Sequence, residues 1–155
     1  MGITLHPWCS GDGGAGDVAA ESRALRRLHR NLLAVVARGD AFTEAFYARL
    51  FRRRPELRPL FAHGLEEAGC RLRAKLALLT SPVADAAEVA CEIARLGRLH
   101  AALGLREADY ALAAACLVES LAEVSGASWS EELEREWTLA LRALCSSMER
   151  AGRKG

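Results

Sequence analysis

The chain has 155 residues, of which 51% are hydrophobic and 26% charged, with a formal net charge of +1. That length suits one domain with a substantial core, and so even a charge balance calls for neither a polyanion nor an acidic membrane surface as partner. No apolar run approaches a membrane span and the N-terminus lacks a signal core, so a cytoplasmic protein is expected.

Residues 1–20 contain SGDGGAGD, with too little apolar surface to repay ordering, and are expected to form a flexible leader ahead of a folded domain over 21–152. Leu25, Leu28, Leu32 and Val36 make the first helical stripe, ended by Gly39. Asp40 is placed to cap a second helix carrying Phe42, Phe46, Tyr47 and Leu50. Pro55 begins a turn, PELRPLF, closing on Phe61, and AHGLEEAG reads as a loop. Leu72, Leu76 and Leu79 then line one side of a helix that Thr80-Ser81-Pro82 breaks. Asp85-Ala-Ala-Glu88 is a capping box opening a helix with Ile93, Leu96, His100 and Leu103 on one face, stopped at Gly104. A long helix follows with Tyr110, Ala114, Leu117, Leu121 and Val124. Gly126 ends it, and Ser128-Trp-Ser-Glu131 opens the last helix, with Trp137, Leu141, Leu144 and Met148 inward. With no strand alternation and no repeat, the pattern predicts an all-α domain of six to eight helices.

The five cysteines, Cys9, Cys70, Cys91, Cys116 and Cys145, are odd in number and form no Cys-x-x-Cys pair, which argues against a zinc site and a disulfide framework. Cys91, Cys116 and Cys145 fall in apolar helical patterns and are expected as small core residues. His100 allows two readings. A neutral imidazole facing a core either satisfies both nitrogens with backbone and tyrosine groups or ligates a metal. The residues alone favour the first.

Four stretches carry a more specific message: FYARLFRRRPELRPLF, AKLALL, LGRLHAALGLREADY and the terminal W-x-x-A-L-x-x-L. In combination, over roughly residues 22–150, they resemble the globin domain of bacterial flavohaemoglobins and related single-domain bacterial globins. The resemblance implies a globin fold around haem b (iron protoporphyrin IX), with His100 as the proximal iron ligand and its second nitrogen donating to a carbonyl or side chain. Leu96, Leu99 and Leu103 then suit the porphyrin face, and Phe61 matches the phenylalanine that stacks on the haem. Tyr47 matches the distal tyrosine, whose O–H would hold bound O2 by about 1.5–3 kcal/mol, roughly one or two decades in its off-rate.

The sequence departs from that family on both sides of the haem. Relatives often read Q-x-x-K-L at the distal gate, where this chain has Leu72-Arg-Ala-Lys75-Leu76. Counting from Phe61 places Arg71 at the gate instead, but that register turns Lys75 toward the iron. Since Leu72, Leu76 and Leu79 form one apolar face, Leu72 is read as the gate and Leu76 as the residue over the iron. Lys75 then stands at the haem rim beside a propionate, although a deprotonated lysine can also ligate ferric iron. His63 reads as a loop residue, and His6 and His29 as surface residues. On the proximal side, Tyr110 matches the tyrosine of the family's hydrogen-bond network. Its glutamate partner would fall at Gly152, while Glu149 is three residues early and expected to face elsewhere. Lacking that carboxylate, His100 should push less electron density toward the iron, which weighs against a dedicated peroxidase or a fast NO dioxygenase.

The 155 residues are expected to carry no FAD or NAD domain, and GDGGAG lacks the strand and helix of a phosphate loop. The expected function is reversible binding of O2, CO and NO, as in oxygen transport, with NO dioxygenation if a separate reductase serves it. The alternative is a gas- or redox-sensing module acting through a protein partner. A monomer and a homodimer both remain open.

Overall fold

In the computed structural model, which describes residues 15–154, helix α1 (Ala15–Val36) already begins inside the stretch expected as a leader. His6, Trp8 and Cys9 lie outside the described residues. There follow α2 (Ala41–Arg53), a 3-10 turn (Pro55–Phe61), α3 (Leu65–Thr80), α4 (Ala86–Ala102), α5 (Glu107–Ser125), a short 3-10 turn (Gly126–Ser128) and α6 (Glu131–Arg153). The described residues are thus all-α, with six α-helices and two 3-10 turns and no strand.

Most inward stripes follow the helical period. Leu25, Leu28 and Leu32 of α1, Phe42, Phe46 and Leu50 of α2, and Trp137, Leu141, Leu144 and Met148 of α6 are all buried. On α1 the fourth core position is Val35 rather than Val36, which only packs against the cluster. Trp137 and Asn31 anchor the centre: the indole Nε1 donates to Asn31 Oδ1 at 2.9 Å, and Asn31 Nδ2 donates to Ser125 Oγ at 2.9 Å, tying α1, α5 and α6 through satisfied polar groups.

Several expectations fail for physical reasons. Asp40 does precede α2, but its carboxylate pairs with Arg73 of α3 instead of capping. The expected loop AHGLEEAG is mostly helix. Gly64, at φ +102°, makes the break, and Glu66 and Glu67 then sit in the first turn of α3, where the helix dipole favours them. Gly69 is tolerated inside that helix because α3 crosses α2 there; a Cβ would come 3.1 Å from Thr43 Oγ1. Cys91 is exposed, since Val89, Ile93 and Gly97 are the residues that α4 turns inward. Cys116 is buried and Cys145 half-buried. His29 is half-buried, its Nδ1 3.1 Å from Thr80 Oγ1, and Thr80 in turn donates to the Leu76 carbonyl.

One further expectation fails on composition. Glu107–Ser128 is long and apolar enough to cross a membrane. In the fold it packs against α1, α2 and α6, and its outward Glu119 and Glu123 pair with Arg53 and Arg49 of α2. Its apolarity belongs to a central bundle helix with neighbours on several sides.

The arrangement that matters for the site is a separation. Helix α3 packs on α1 and α2, and α4 packs along α6, yet these two consecutive helices share no extensive face. Each is carried by other helices of the bundle, contrary to the usual adjacency of neighbouring elements.

Candidate functional site

His100 stands on the last turn of α4, half-buried. Its Nδ1 is buried and has no hydrogen-bond partner among the described residues. Burial first, then the charge of Arg95, hold its pKa below the usual histidine value, so the ring is neutral at pH 7. The Tyr110 ring meets it edge-on, with centroids 5.5 Å apart. A histidine kept for packing satisfies its buried nitrogen, because an unpaired one costs about 1–3 kcal/mol. The satisfied-core alternative therefore does not describe this ring, and neither does the expected donation from its second nitrogen.

Around His100 the wall is apolar and partly uncovered. Helical spacing sets Leu96, Leu99 and Leu103 on the same side as the imidazole. Leu96 is half-buried, but Leu99 is 46% and Leu103 45% exposed. Leucines left open beside an unpartnered imidazole fit a flat apolar group carrying a metal.

The remaining predicted site residues lie on α2, the first 3-10 turn and α3. Tyr47 is buried against Phe46, Phe51 and Phe61, with its ring centroid 5.2 Å from that of Phe61. Burial pushes its phenol up to about 12, partly opposed by the charge of Arg71, so the hydroxyl keeps its proton. That hydroxyl has no hydrogen-bond partner among the described residues. Phe61 is half-buried, covered by Tyr47 and Phe51 at the end of its turn. On α3, Leu76 is buried and Leu72 half-buried against the core, whereas Arg71 points outward to Glu67.

Residues 44–148 match the family profile described as Globin. This chain belongs to the globin family. Its sequence is 33% identical over 105 residues to a flavohemoprotein of Bordetella pertussis, covering 66% of this chain and 26% of that protein. A flavohemoprotein of Chromobacterium violaceum is 27% identical over 113 residues, covering 71% and 28% of the two chains. A leghemoglobin of Psophocarpus tetragonolobus is 25% identical over 119 residues, covering 71% and 82%. The globin thus spans about a quarter of the flavohemoproteins it matches.

Within this globin, Lys75 does not stand free at a rim. Its Nζ lies 2.8 Å from Glu92 Oε1, so an ion pair joins α3 to α4. Arg95 and Lys75 together hold the Glu92 carboxyl down to about 2, against a burial effect of opposite sign. A carboxyl with a lowered folded-state pKa stabilises the fold above its unfolded value, near 4.5, and that contribution is lost as pH falls toward 2. Glu92→Gln is therefore expected to flatten the acid limb of stability between those values, read as the urea midpoint against pH. An unchanged limb would mean the pair contributes nothing.

Position 152 has no room for a carboxylate side chain. Gly97 and Gly152 face each other where α4 crosses α6. A Cβ at Gly97 would lie 2.1 Å from the Met148 carbonyl oxygen, and one at Gly152 would lie 2.7 Å from that of Gly97. A glutamate at 152 has no room. Glu149 does not face wholly elsewhere: besides pairing with Arg153 at 3.3 Å, it stands close enough to Tyr110 to help burial raise that phenol to about 12. Tyr110 itself is buried.

The Lys75–Glu92–Arg95 bridge and the Gly97–Gly152 crossing were not read from sequence. A glycine inside an otherwise strong helix was the available signal for the crossing, since it costs about 1 kcal/mol relative to alanine unless something needs the space.

Proposed function

We propose that this globin binds haem b between α3 and α4 through His100 and uses the side facing Tyr47 for a diatomic ligand, O2, CO or NO, reversibly. The observation that carries this reading is the neutral, half-buried imidazole with an unpartnered nitrogen among uncovered leucines. His100 would hold the iron, Leu96, Leu99 and Leu103 would cover the macrocycle, and Phe61 would pack on its distal edge. When bound, the group supplies an open iron coordination position for the gas. The names of the matched proteins, flavohemoprotein and leghemoglobin, support the same reading.

Tyr47 supplies polarity on the ligand side. Its hydroxyl is protonated at neutral pH and unclaimed by other groups, so it is free to donate to a gas that accepts electron density. Leu72 and Leu76 offer no second donor. Tyr47→Phe is expected to speed O2 dissociation by roughly ten- to a hundredfold, from about 1.5–3 kcal/mol of lost hydrogen bonding, with CO dissociation moved much less. Stopped-flow ligand replacement measures both, and equal O2 rates would place the hydroxyl away from the ligand.

The same site suits conversion of NO and O2, with one electron from a separate reductase, to nitrate. Without a carboxylate at position 152, this turnover is expected to be slow. The decisive first experiment is an absorption spectrum of the chain purified after expression with ample iron: a Soret band that shifts under CO supports the proposal, and a colourless protein after reconstitution ends it.

A further inference from the structure

Lys75 and Glu92 join two helices that are carried by different neighbours, α3 by α1 and α2, and α4 by α6. The pair is not a solvated surface contact, because the Glu92 side chain is only 13% exposed and that of Lys75 35%. Arg95, one turn along α4, holds the same carboxylate from within its own helix at 2.7 and 3.0 Å. Helical register relates this bridge to His100. Glu92, Leu96, Leu99 and Leu103 recur at spacings of four, three and four, so the carboxylate stands at the N-terminal end of the α4 face that carries the uncovered leucines. Along the axis it is about 12 Å from His100. On α3, Lys75 directly precedes the buried Leu76.

We propose that the Lys75–Glu92 pair is a clasp between α3 and α4 that slows the loss of haem from between them; this rests on the haem-globin reading above. Two helices that share no extensive face have little apolar contact holding one to the other, and a group seated between them leaves as they part. Parting them here breaks a partly buried ion pair, which is costlier than breaking an exposed one. The clasp therefore acts on the helices and not on the iron. Arg95 cannot replace it, since its bonds to Glu92 stay within α4. A direct pairing of Lys75 with a haem carboxylate forecasts the opposite for Glu92: removing that residue would free the lysine for the haem and slow its loss.

The test follows transfer of haem from the loaded full chain to an excess of apomyoglobin at neutral pH. Glu92→Gln and Lys75→Met are each expected to speed haem loss by about threefold or more, and the double variant by no more than the faster single one. Arg95→Met, which removes a partner of Glu92 without cutting the bridge, should lose haem at nearly the parent rate. Raising salt from about 0.05 M to about 0.5 M should speed loss from the parent and leave Lys75→Met almost unmoved. Glu92→Gln that releases haem at the parent rate or more slowly overturns the clasp while the haem reading stands. So does Arg95→Met that releases it as fast as the other two, because the effect would then follow charge on α4 and not the bridge. If the parent takes up no haem, both readings fall.

Discussion

His100→Ala is expected to give an apoprotein at least as stable as the parent, and one that no longer ligates haem iron through a protein nitrogen. The two halves of this result separate a ligand from a core residue. Were His100 part of a satisfied polar cluster, truncation would break hydrogen bonds and lower stability. Its Nδ1 instead lies buried without a partner, so removing it relieves a cost of about 1–3 kcal/mol, and alanine is also the better helix former. Some apolar contact with Tyr110 is lost in exchange. Urea unfolding of the two apoproteins checks the first half. Absorption after haem addition checks the second: the variant should lack the histidine-ligated Soret pattern and regain it with free imidazole. A destabilised apoprotein with unchanged ligation would remove His100 from the site.

Gly97→Ala is expected to lower stability by about 2 kcal/mol or more, even though alanine alone would favour the helix by about 1 kcal/mol. The added methyl would meet the Met148 carbonyl oxygen at 2.1 Å. Backbone sits there, not the end of a flexible side chain, so α4 and α6 must separate along their shared face. For a chain of this size the loss corresponds to a melting point lower by roughly 4–8 °C. Differential scanning calorimetry of the apoprotein measures it. Gly69→Ala makes the useful comparison: its nearest neighbour would be Thr43 Oγ1 at 3.1 Å, and that side chain can shift by a few tenths of an ångström, so the loss should be smaller. A stabilised Gly97→Ala would mean the two helices are not in contact at this point.

The helices themselves were legible in the sequence because each depends on local period and local stop signals. Phe42, Phe46 and Leu50, or Trp137 through Met148, announce their inward face within a single element. Asp85 was legible too, since a cap needs only the Glu88 backbone N–H three residues away, here donating to Asp85 Oδ1 at 3.0 Å. What stayed hidden depends on partners distant in the chain. Asp40 looked like a cap until Arg73 claimed it, and Lys75 looked free until Glu92 did. Cys91 reads as apolar in its local pattern, and only the approach of α6 to the other face of α4 turns it outward. At the site, the residue types of His100, Tyr47, Phe61 and Tyr110 were visible from motif resemblance, while their hydrogen-bonding state was not. Whether a histidine nitrogen is satisfied depends on the three-dimensional surroundings, and no spacing rule supplies it.

The paired glycines also make the C-terminal helix a lever on the imidazole. Gly152 sits in the final turn of α6 with its backbone against that of Gly97, and Gly97 is three residues from His100. With no side chains between the two backbones to absorb a displacement, a load placed on the end of α6 is transmitted to α4 at that crossing.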